Sequence, residues 1–154
     1  MNEMKQEYKL ALQEINFFER VKEIAVKSYK IDSENILESY SKEEVCKIFI
    51  DLGYEVRYDK KEKFYEIIIK INKYSLICNI AIENDYLDIG WYLYYENEFY
   101  EGDVWQMLSY DIDENYEEFM KPEYHNYKEL AFLIEKVMLL FEDFKTVLAK
   151  SLMS

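Results

Sequence analysis

A chain of 154 residues with half of its side chains hydrophobic can bury a core of its own; chains of this size bury about 68–70% of the surface they expose when unfolded. Three glycines and one proline leave no room for a low-complexity linker, and no internal repeat is visible, so one domain over residues 1–154 is expected. A formal net charge of −13 argues against direct nucleic-acid binding, which needs clustered Lys or Arg, and no run nears the ~18 apolar residues of a membrane span.

The opening MNEMKQEYKLALQE has charges every few residues and no apolar signal-peptide core. Cys46 and Cys78 lie in apolar runs with neither CxxC nor zinc spacing, which reads as buried free thiols in a reducing compartment. A cytoplasmic protein is the expectation. The preference for Lys over Arg, 17 to 2, suggests AT-rich coding and a low-GC bacterium.

Met4, Tyr8, Ala11, Ile15, Phe18 and Ala25 fall at helical spacing and predict one amphipathic helix over 3–28. Ser33 can cap a short second helix. Ser41 with Glu44 predicts a capped helix over 42–52, with Gly53 at its C′ position. The period then shortens to two. Tyr54, Val56 and Tyr58 alternate with polar residues, and Tyr65, Ile67, Ile69 and Ile71 share a face. Asn72-Lys73 is a hairpin link, followed by Tyr74, Leu76, Cys78, Ile80 and Ile82, and then by Leu87, Ile89, Trp91, Leu93 and Tyr95. Links this short require antiparallel neighbours, giving a four-stranded meander over 54–95. GDVWQML reads either as a helical turn or as a fifth strand. Asn126 with Glu129 caps a last helix over 127–152, with Leu130, Ile134, Val137, Phe141, Phe144 and Leu148 as its apolar stripe. The fold class is α+β: N-terminal helices, an antiparallel meander, and a long C-terminal helix on one sheet face. The terminal stripes are core, or a seam for a homodimer in place of a monomer.

The charge is segregated. Residues 1–73 carry 14 basic and 15 acidic side chains and residues 121–154 carry five of each, whereas the 47 residues between Lys73 and Lys121 hold twelve carboxylates and no basic group. The same 47 residues contain 12 of the 27 aromatics and both tryptophans. Tyr and Trp favour recognition surfaces, whereas Asp and Glu are depleted at their centres, so an acidic aromatic patch calls for a partner of opposite charge. On the last meander strand the face away from the core carries Tyr86, Asp88, Gly90, Tyr92 and Tyr94, and it leads to Glu96, Glu98, Glu101 and Asp103, with Trp105 next. Those eight Tyr, Asp and Glu residues, together with Trp105, are the candidate partner-binding set. The competing reading packs Tyr92 and Tyr94 under the segment 99–120 and leaves the carboxylates merely solvated.

Chemical motifs are few. Asp111-x-Asp113-x-Asn115 opens like a calcium loop, but Tyr116 and Pro122 replace the Gly and Glu that such a loop needs. No GxGxxG or Walker loop is present, and His125, the only histidine, has no nucleophile motif to serve. Carboxylate pairs suited to glycoside chemistry are too abundant over 83–118 to single one out. The expectation is a binding protein without catalysis, cofactor or metal.

With its helices, antiparallel meander and the stretch DIGWYLYYENEFYEGDVWQML, this small, acidic, Tyr-rich chain resembles the immunity proteins of bacterial polymorphic toxin systems. The resemblance implies a cognate inhibitor of a toxin domain, often a nuclease; it carries over no site residue by residue. A small acidic secretion chaperone holding an extended segment, and a DNA mimic that blocks a DNA-binding protein, are the alternatives.

Overall fold

A computed structural model describes residues 3–28, 40–83, 85–112 and 121–153. The elements run α1 (Gln6–Glu14), α2 (Phe17–Ser28), α3 (Lys42–Asp51), β1 (Arg57–Asp59), β2 (Phe64–Ile71), β3 (Tyr74–Ile82), β4 (Leu87–Tyr95), β5 (Glu98–Val104), α4 (Trp105–Ile112) and α5 (Tyr127–Leu152). The fold is α+β, with one antiparallel sheet in the order β1-β2-β3-β4-β5.

The single N-terminal helix expected over 3–28 is two helices. Asn16 takes a φ of 56°, a left-handed conformation that Asn tolerates better than most residues, and its amide closes on the Gln13 carbonyl. The break shifts the stripe by one residue, so that α2 buries Phe17, Val21, Ile24 and Ala25 while Phe18 is only partly covered. The helix expected after Ser33 lies outside the described residues. The two expected N-caps that fall within the described residues form: Ser41 Oγ accepts from the Glu44 amide at 3.4 Å, and Asn126 Oδ1 accepts from the Glu129 amide at 2.9 Å.

β1 is shorter than the alternation over 54–58 suggests. GDVWQML is divided between the two structures the sequence leaves open, since β5 ends at Val104 and α4 begins at Trp105. The β4–β5 link is Glu96-Asn97, with φ of 46° and 72°, the doubly positive turn that matches the twist of a hairpin.

The register sorts every strand residue to a face. Inward rows are Ile67–Cys78–Trp91–Asp103, Ile69–Leu76–Leu93–Glu101 and Ile71–Tyr74–Tyr95–Glu98. Trp91 is the centre of the core: its ring lies 4.7 Å from Phe144, 5.7 Å from Phe141, 5.2 Å from Phe17 and 5.6 Å from Trp105. Tyr8 of α1 fastens the helical layer to the sheet by donating its hydroxyl to the Trp91 carbonyl at 2.9 Å. Tyr65, on the same face, stacks on Phe49 of α3. The helices of the described residues therefore cover one face of the sheet.

Candidate interaction surface

The opposite face has no described helix on it. Its rows are Arg57–Glu66–Asn79–Gly90–Val104, Ile68–Ile77–Tyr92–Gly102 and Lys70–Ser75–Tyr94–Phe99. Phe99, on the edge strand β5, is 56% exposed and Ile68 of β2 is 47% exposed, so this face presents large apolar side chains to solvent. Tyr94 meets Phe99 edge to face at 5.8 Å, and an open depression of about 260 Å³ lies among Ile68, Lys70, Ser75, Ile77, Tyr94 and Asn97. Tyr92 lies over Gly90, where a Cβ would come within 2.5 Å of its hydroxyl.

Of the expected set, Tyr86, Asp88, Tyr92 and Tyr94 belong to β4 or its approach. Asp88 is partly neutralised, because Lys121 Nζ is 3.5 Å from its carboxylate and 4.8 Å from the Tyr86 ring. Glu96, in the turn, faces Lys73 at 3.5 Å.

Glu98, Glu101 and Asp103 are not on the face of Tyr92 and Tyr94. The turn sets Glu98 opposite Tyr95, and a bulge between Leu93 and Tyr94 inserts Tyr100 so that Glu101 pairs with Leu93 and Asp103 with Trp91. One extra residue reverses the facing of everything after it. These carboxylates form the acidic margin of the helix-covered side. Glu101 accepts from the Lys5 amide at 2.6 Å and from the Gly102 amide at 3.0 Å, and Asp103 accepts from the Val104 amide at 2.8 Å. The Tyr100 hydroxyl donates to Glu7, a bond that with partial burial pushes the phenol up to about 12. Asp111 of α4 joins them: burial first, then the charges of Asp103 and Glu101, raise its carboxyl above the ordinary value, with Lys9 opposing. Among the described residues no Lys or Arg side chain ion-pairs with Glu98, Glu101, Asp103 or Asp111.

Trp105 is a correction. It is 1% exposed and meets Phe17 and Trp91 edge-on, because the chain turns from β5 into α4 at this residue and carries the indole into the core. Its side chain lies in the core and not on the exposed surface where the sequence placed it.

The sequence pattern placed none of Phe99, Ile68, Glu7 and Lys121 at this surface, and it singled out Asp111 only as the opening of a calcium-like loop. Ile68 had a signal: in a run of three isoleucines on a strand, the middle one must face away from the other two. Phe99 and Asp111 needed the hairpin register and the start of α4.

His125 is occupied locally, with its amide and Nδ1 at 3.0 and 2.7 Å from Glu129 Oε1. Cys78 is buried and Cys46 half-buried, both free, and burial raises both thiols. Asp113 and Asn115 lie outside the described residues. Among the described residues no three His, Cys, Asp or Glu side chains converge as metal ligands, and no helix is long and apolar enough to cross a membrane. Comparison with protein-family models, with curated proteins and with solved structures returned no match.

Proposed function

We propose that this chain is a non-catalytic binding protein that occludes a basic protein partner, in the manner of a toxin-neutralising immunity protein. The observation that supports the reading is that Glu98, Glu101 and Asp103 of the edge strand, with Asp111 of α4, have no Lys or Arg ion pair among the described residues, beside a sheet whose open face presents Phe99, Tyr94 and Ile68. Complementary fields raise the association rate, and aromatic and aliphatic anchors in the desolvated centre slow dissociation. Each half supplies what the other lacks.

The test is charge reversal at Glu98 and Asp111, which hold no backbone amide. A basic protein that binds wild type in cell extract at low salt, and whose activity falls to zero at one equivalent, should be held at least tenfold more weakly by Glu98→Lys/Asp111→Lys. A partner bound equally by both proteins counts against the reading.

One observation favours a second reading, an acidic chaperone that holds an extended segment: β5 is the last strand of its sheet. Such a chaperone prefers an unfolded partner, whereas an occluding inhibitor requires the folded one.

A further inference from the structure

Edge strands leave amides and carbonyls unpaired, and proteins blunt them with charge, bulges or cover. β5 is such an edge, and among the described residues no strand pairs with its outer side. The amides of Gly102 and Val104, two residues apart and so on the same edge, donate to the carboxylates of Glu101 and Asp103 at 3.0 and 2.8 Å. An amide spent in this way is one that β4 leaves free.

Three kinds of strand can be compared at this edge. A second copy of β5 offers carbonyls for the two amides, but it also brings its own Glu98, Glu101 and Asp103 against those already there, and like charges across a ladder are destabilising. A neutral strand offers the carbonyls but brings no donor or cation for the displaced Asp103, and leaves Glu101 with the Lys5 amide alone. A strand with Lys or Arg at alternate positions supplies both replacements: carbonyls to Gly102 and Val104, and cations to Glu101 and Asp103. Glu101 keeps its bond from the Lys5 amide throughout, so α1 stays fastened to the edge.

From this we infer that β5 receives an extended cationic segment of the partner as a sixth strand, with Glu101 and Asp103 guarding the edge until that segment arrives. The inference rests on the basic-partner reading and specifies how the partner is held.

The probe is the peptide acetyl-Lys-Val-Lys-Thr-Lys-Val-Lys-amide, set against the same peptide with every backbone amide N-methylated, which keeps the charge and abolishes the ladder. Binding is followed by chemical-shift titration of the full chain and by hydrogen exchange at Gly102 and Val104. The expected result is at least tenfold tighter binding of the unmethylated peptide, with exchange at both amides slowed at least tenfold. Glu101→Gln with Asp103→Asn keeps oxygens that accept from the amides and removes the charge; it should weaken the peptide at least tenfold. Equal binding of the two peptides overturns strand addition while leaving attraction to a basic surface intact. Absence of binding by either peptide overturns it as well, and the capture of a folded basic partner then decides the broader reading separately. If the double variant does not fold, the comparison of the two peptides on the wild type still decides.

Discussion

Single residues carry two kinds of demand here, steric and electrostatic, and they are separable by substitution. Gly102 has a φ of 145°, and a Cβ there would come within 2.3 Å of the Trp91 carbonyl oxygen, which is backbone and cannot swing aside. Gly102→Ala should therefore destabilise the fold by at least ~2 kcal/mol in urea denaturation. The same change at Gly53, whose Cβ would meet nothing within 4 Å, should lose about 1 kcal/mol from its positive φ alone. Trp105→Ala should lose about 3–5 kcal/mol as a core deletion, with partner affinity of the folded fraction unchanged. Asp111 tests the electrostatics. Its carboxyl is raised in the folded state, so the folded protein holds that proton more tightly than the unfolded chain, and ionisation there weakens the fold. Asp111→Asn should raise the melting temperature at neutral pH, and the gain should disappear below about pH 3.8, where both states are protonated. A gain that persists in acid would contradict the assigned cause.

At the scale of elements, the last helix was the most legible part of the chain, because a capping residue, its third-position Glu and a regular stripe all agree there. Asn126→Ala should lose about 1 kcal/mol, measured by thermal denaturation, as the Glu129 amide loses its acceptor. The alternation of β2, β3 and β4 was legible for the same reason, since one buried face imposes a period of two. Two breaks were not. Asn16 interrupts a helical pattern whose apolar spacing continues on either side, so periodicity alone passes over it. The Glu96-Asn97 hairpin lacks the usual Asn-Gly or Asp-Gly signal, and Glu at a positive φ is a choice that propensity does not anticipate. With that turn unseen, β5 could not be separated from α4, and the facing of its acids could not be assigned.

For the whole molecule, the sequence told where the charge is but not which way it faces. The segment between Lys73 and Lys121 was visible as acidic and aromatic by counting, whereas its division depends on one inserted residue, Tyr100. Without that bulge Glu101 and Asp103 would share the open face with Tyr92 and Tyr94, as the sequence reading placed them. With it, the aromatics keep the open face and the acids line the margin beside α1 and α4. Lys121, distant in sequence, tempers Asp88 and leaves the β5 margin as the more strongly acidic part. Screening over about 8 Å at physiological ionic strength implies that a charge-steered complex forms more slowly as salt rises. In stopped-flow measurements the wild-type association rate should fall steeply with salt, and that of Glu98→Lys/Asp111→Lys should fall less.

The most direct measurement is a titration of the basic partner captured from the cells that make this protein. Wild type should abolish its activity at one equivalent, and the Glu98→Lys/Asp111→Lys variant, folded to the same secondary structure by circular dichroism, should need at least a tenfold excess. Full inhibition by the variant at one equivalent would contradict the acidic margin as the seat of binding.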